Sequence, residues 1–72
     1  MSTKDELRQV EEDLARLRAE NQDIRDQIRD MGATDQVEIS AMISQADEQV
    51  ELIAELERRR DSLRGRLEEG AD

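Results

Sequence analysis

The sequence predicts an all-α fold: an antiparallel two-helix hairpin of coiled-coil type that dimerises into a four-helix bundle. Three observations carry this expectation. Apolar residues recur at alternating spacings of 3 and 4 in two long runs, a helix-stop signal adjoins a helix-start signal between them, and the two runs meet in register when the chain folds back. The composition agrees. Of 72 residues, 43% are charged and 35% hydrophobic, with no aromatic, Pro, Cys or His, the make-up of long helices and coiled coils. Low hydrophobicity with a net charge of −9 is also the mark of a disordered chain. The periodicity decides between the two readings, because disorder has no reason to hold one phase over seven or eight turns.

Residues 1–72 make a single domain. Helix 1, at about 4–31, places Leu7, Val10, Leu14, Leu17, Asn21, Ile24, Ile28 and Met31 on one seam with a single polar member. The turn follows at 32–35. Gly32 stands where a left-handed residue closes a helix, and Asp35 caps the next, with Glu38 three residues on in a capping-box-like pair. Helix 2, at about 36–68, carries Ile39, Met42, Ala46, Gln49, Ile53, Leu56, Arg60, Leu63 and Leu67 at the same alternating spacing. Residues 69–72 are expected to fray.

Folding back aligns the seams in eight layers whose numbers always total 70, from Met31 with Ile39 down to Leu7 with Leu63. Asn21 falls opposite Gln49, a polar layer that lowers stability and fixes register. Read by height along the axis, Arg59 comes beside Asp13 and Arg66 beside Glu6. The same reading sets Glu11 beside Glu57 and Lys4 beside Arg64, both like-charged. The alternative is a parallel coiled-coil dimer rod running straight through residue 32. It requires a four-residue shift of the seam, which coiled coils tolerate as a stutter. It also requires Gly32 inside a helix, at about 1 kcal/mol relative to Ala.

Helix 2 has apolar residues beyond its seam: Val37, Ile43, Val50, Leu52 and Ala54. Left bare, such a surface invites aggregation, so these residues are the expected dimer or partner surface. Two hairpins would pair there as a homodimer, or a helix of another protein would occupy it. Asp47, Glu48, Glu51 and Glu55 form an acidic rim. A basic amphipathic helix would suit that rim, and so would the plain role of keeping a small bundle soluble.

Little here can do chemistry. Without His, Cys or Tyr, the usual nucleophiles and neutral-pH bases are missing, and there is no Gly-rich phosphate loop. No enzyme activity and no cofactor are expected. Asp23, Asp26 and Asp30 share a helical face, but a metal site wants more converging oxygens than a convex helix offers. The stretch LIAELERRR resembles the Arg-bearing helices of small helical mutases, which need a further helix to enclose substrate. The segment 58–66, RRRDSLRGR, is basic but lacks interleaved aromatics and lies beside acidic groups, so internal charge pairing is expected and nucleic acid is not.

The stretch 32–39, GATDQVEI, resembles the turn of the Rop family of plasmid copy-number proteins. That resemblance implies a hairpin dimerising into a four-helix bundle; the family grips paired RNA with a polar-basic face of its first helices. Helix 1 here is longer than in that family and net acidic, a departure from the RNA-gripping pattern. The expected function is a non-enzymatic structural or adaptor module acting by self-association and protein–protein contact. The alternative is an acidic regulator of nucleic-acid machinery, with Asp30, Asp35 and Glu38 as its tip or the acidic stretch as a nucleic-acid mimic. No apolar run suits a membrane span or a signal peptide, which points to the cytoplasm. Ten Arg against one Lys points to a GC-rich bacterial genome.

Overall fold

The computed structural model describes residues 2–31 and 36–70. Two helices, α1 (Thr3–Met31) and α2 (Gln36–Glu68), pack against each other, and no strand occurs among the described residues. The hairpin measures 54 × 17 × 14 Å, the long dimension matching a helix of 33 residues at about 1.5 Å per residue. The expected turn residues Gly32 and Asp35 lie outside the described residues.

Both outer ends are closed by local hydrogen bonds. At the start of α1, Ser2 Oγ accepts from the Asp5 backbone N–H at 3.2 Å, satisfying one of the N–H groups a helix start leaves unpaired. Asp5 and Glu6 in the first turn oppose the positive end of the helix dipole. Past the end of α2, the Gly70 N–H donates to Leu67 O at 3.1 Å, with Gly70 at φ 81°. That is one bond of a Schellman closure, and its left-handed residue is cheapest as Gly. Glu69 and Gly70, read from sequence as part of a frayed tail, therefore form a closing turn.

The seam is the core, and it is unevenly buried. Val10, Leu14, Leu17 and Leu63 are buried, Leu14 most completely at 2% exposure. Leu7, Ile53 and Leu56 pack around this cluster. Toward the turn, Ala46 is buried, and Ile24, Ile28, Ile39 and Met42 are half-buried. Thr3 is buried as well; level with Leu67, it extends the seam one layer past Leu7.

The hairpin register follows the layers read from sequence. Asn21, 8% exposed, donates through Nδ2 to Gln49 Oε1 at 3.3 Å and to the Ala46 carbonyl at 3.0 Å. A straight rod is thereby overturned: Asn21 meets α2 of its own chain instead of its copy on another. Ala46 makes the second bond possible, since its short side chain lets an amide reach the α2 backbone.

The flanking charges differ from the expectation. Across the hairpin, Arg18 pairs with Glu57 at 3.1 Å, Arg64 with Glu11 at 2.9 Å and Arg59 with Glu6 at 3.5 Å. Asp13, expected beside Arg59, pairs with Arg16 of its own helix at 3.3 Å. The like-charged meeting of Glu11 with Glu57 is replaced by two opposite-charge pairs. Helical side chains lean toward their own N-terminus, which in antiparallel helices shifts partners from equal height in the sense seen for Arg18–Glu57 and Glu11–Arg64. Arg59 reaches Glu6 in the opposite sense, through a long side chain that stays 61% exposed.

Candidate functional site

Those three ion pairs also show which way each row of α2 faces. Residues seven apart share a flank in a coiled coil. Glu57 and Arg64 face Arg18 and Glu11 along one edge of the hairpin; counting back by sevens puts Val50 and Ile43 in that row, with Arg25 next in line on α1. Arg59 faces Glu6 along the opposite edge, and seven residues back is Leu52. We call these the Arg18 edge and the Glu6 edge.

The five residues expected to form one association surface are thus divided. Ile43 and Val50, 45% and 41% exposed, lie on the Arg18 edge, with Ala54 one turn beyond Val50 and half-buried. Leu52, 44% exposed, is on the Glu6 edge, and Val37, 81% exposed, belongs to the outer row with Ser44 and Glu51. The acidic rim divides too. Asp47 stands between Ile43 and Val50, Glu51 is on the outer row, and Glu48 and Glu55 flank Leu52; all four are exposed. The five residues thus make one apolar edge, Ile43, Val50 and Ala54, with Leu52 and Val37 each apart from it.

Around the turn-proximal half the edges carry opposite characters. The Glu6 edge presents Glu20, Asp23, Asp30, Glu38, Glu48 and Glu55, and its rows hold no Lys or Arg on the turn side of Arg16 and Arg59. An open cleft of about 410 Å³ lies there between Gln27, Asp30, Glu38 and Met42. The Arg18 edge carries Arg18, Arg25 and Arg29 on the α1 side of Ile43 and Val50. Arg29 pairs with Asp26 and Arg18 with Glu57, whereas Arg25 and Asp47 have no ion pair among the described residues.

Farther from the turn, a cleft of about 190 Å³ is lined by Glu11, Leu14, Ala15, Arg18, Arg60 and Arg64. Its three guanidinium groups are matched within the chain: Arg18 by Glu57, Arg64 by Glu11, and Arg60 by Asp61 at 3.1 Å. Arg60 occupies a seam position yet keeps its side chain only 19% exposed, its aliphatic stem covering the core while its head reaches the carboxylate. Of the five Arg of segment 58–66, Arg59, Arg60 and Arg64 are paired with acids of the hairpin, while Arg58 and Arg66 are exposed with no ion pair among the described residues.

No group of three or more potential metal ligands comes together among the described residues, and Asp26 of the sequence triad is paired with Arg29. No helix among the described residues is long and apolar enough to cross a membrane. Sequence reasoning passed over Ser2 and Thr3. The signal was present in STKD, a Ser with an acidic residue three positions on. No protein-family model matches the chain, and no curated protein or solved structure matches it.

Proposed function

We propose that this chain is a non-enzymatic coiled-coil module that works by self-association and protein–protein contact through its turn-proximal half. The observation that carries this reading is the uneven core. Val10, Leu14, Leu17 and Leu63 are buried, with Leu7, Ile53 and Leu56 half-buried around them; in the turn-proximal seam Ala46 is buried, Ile24, Ile28, Ile39 and Met42 are half-buried, and Ile43 and Val50 stand exposed beside them. Apolar side chains held partly in water along one stretch mark a surface that gains by being covered. The test is sedimentation equilibrium on the wild type and on Ile43→Glu with Val50→Glu. The wild type is expected to sediment as a dimer, and the double variant as a helical monomer. A wild type that stays monomeric up to hundreds of micromolar refutes self-association.

A second reading rests on the Glu6 edge, which on the turn side of Arg16 and Arg59 carries six carboxylates and no Lys or Arg. Such an edge suits a basic protein surface, including one belonging to nucleic-acid machinery. Charge removal at Asp30, Asp35 and Glu38 tests it. Loss of a partner with the dimer intact supports an acidic regulator.

A further inference from the structure

The two edges of the turn-proximal half differ enough to specify how a second copy docks. Resting on the self-association proposed above, we infer that two hairpins pair through the Arg18 edge with their turns at the same end, so that α1 of each faces α2 of the other and Arg25 meets Asp47 of the second copy.

Three observations support this arrangement. The first is where the apolar surface lies. Ile43 lies near the turn and Val50 at the level of the Asn21 layer, and from there down the same edge is occupied by the matched pairs Arg18–Glu57 and Glu11–Arg64. Turns at the same end let the two apolar stretches overlap fully. Turns at opposite ends either set each apolar stretch on the partner's ion pairs or slide the hairpins apart until only the turn halves touch.

The second is charge. A two-fold axis along the hairpin brings α1 over α2 of the second copy at equal height. Arg25 follows Ile24, whose seam layer contains Ala46, so Asp47 of the second copy comes level with Arg25. Neither residue has an ion pair within its own hairpin among the described residues. A two-fold axis across the hairpin instead brings Arg25 toward the arginines of the other α1, and Asp47 toward its own copy. Like charges close together are the usual means of rejecting an arrangement.

The third is area. The hairpin exposes 5302 Å², whereas a compact protein of 8.3 kDa exposes about 4,600 Å² by the usual scaling with mass. The difference, about 700 Å², is close to the roughly 800 Å² that each partner buries in a standard interface.

Charge reversal distinguishes the arrangements, because both positions are on exposed edges where a polar replacement leaves the seam untouched. Arg25→Glu is expected to weaken the dimer roughly tenfold, since the two-fold axis repeats one rim pair twice. Adding Asp47→Arg to the same chain is expected to restore the affinity to about threefold of wild type or better. With turns opposed, Arg25→Glu relieves a like-charge contact and tightens the dimer, which overturns the inference while leaving self-association intact. A dimer indifferent to both changes overturns it too.

The chain has no Cys, so single spin labels at Ser40→Cys or Ser62→Cys give a second readout independent of affinity. Turns together keep both label pairs within about two helix diameters, roughly 20–25 Å. A separation of 30 Å or more for either pair means opposed turns. A wild type that binds no second copy at any concentration removes the underlying reading itself and is told apart from the other outcomes by mass alone.

Discussion

Asn21 gives the most demanding test of the register. Its amide donates twice, to the Ala46 carbonyl at 3.0 Å and to Gln49 Oε1 at 3.3 Å, from a position only 8% exposed. Asn21→Asp keeps size and shape but replaces the donating NH₂ with an oxygen. The introduced carboxylate then faces two acceptors. Two hydrogen bonds are lost, at about 1 kcal/mol each, and a buried charge without a partner adds roughly 3 kcal/mol more. A total near 5 kcal/mol is as large as the whole stability expected for a domain of this size, so the variant should be largely unfolded at pH 7.

The pH dependence of Asn21→Asp supplies a sign. Burial and two facing oxygens raise the folded-state pKa of the introduced group above its unfolded value of about 3.9. The penalty is therefore full above the folded pKa, shrinks as pH falls through it, and is absent below about pH 3, where both states are protonated. A protonated carboxyl can also donate one of the lost bonds. The assay is helicity by circular dichroism during urea titration at pH 3 and pH 7, variant against wild type at one chain concentration. Acid should bring the variant close to the wild type. Equal deficits at both pH values, or none at pH 7, would show that residue 21 does not face Ala46 and Gln49 as described.

Four further substitutions probe other parts of the hairpin. Leu14→Ala, at the best-buried position, is expected to lower stability by about 2–3 kcal/mol, or roughly 10–20 °C in Tm; Ile28→Ala, half-buried near the turn, should lose roughly 1 kcal/mol when both are measured in dilute, monomeric samples. Gly65→Ala should stabilise by about 0.5–1 kcal/mol in chemical denaturation, because Gly65 is inside α2 without a positive φ and a Cβ there meets nothing within 4 Å. Ser2→Ala removes the acceptor of the Asp5 N–H and should lower stability by about 1 kcal/mol, with faster amide exchange confined to the first turn of α1.

Much of the hairpin is legible in the sequence because a seam of 3 and 4 spacings fixes which side chains face inward. Once the chain turns back, it also fixes which layers meet. Asn21 opposite Gln49 follows from that numbering alone. The edges are harder to read. Matching charges at equal height placed Glu11 near Glu57, whereas the lean of the side chains brings Glu11 to Arg64 and Arg18 to Glu57. The association surface was blurred for a related reason. Ile43 and Val50 are seven apart and share an edge, but Leu52 is nine from Ile43 and falls on the other side of the seam. Hydrophobicity counted along the chain cannot make that distinction; the row of each residue can.

The polar layer also marks where packing changes. On one side of Asn21 and Gln49 the seam is buried around Leu14 and Leu63. On the other side Ala46 is buried, but the larger Ile24, Ile28, Ile39 and Met42 stay partly in water. A buried amide pair is a poor source of stability but a strong constraint on alignment. It is most useful where apolar packing has become too loose to set the register itself. A slip by one heptad would place Asn21 against an apolar seam residue and leave its donors unmet, so the turn-proximal half is held in line while staying open. This separates the work of the two halves. Leu14 and its neighbours hold the hairpin together, and the looser half keeps Ile43 and Val50 beside Arg25 and Asp47 in the alignment a second copy requires. On that argument, replacing Asn21 by Leu should make the hairpin no less stable. Its dimer should nonetheless become weaker or mixed in register, and a variant more stable and equally well paired would show that the polar layer serves some other end.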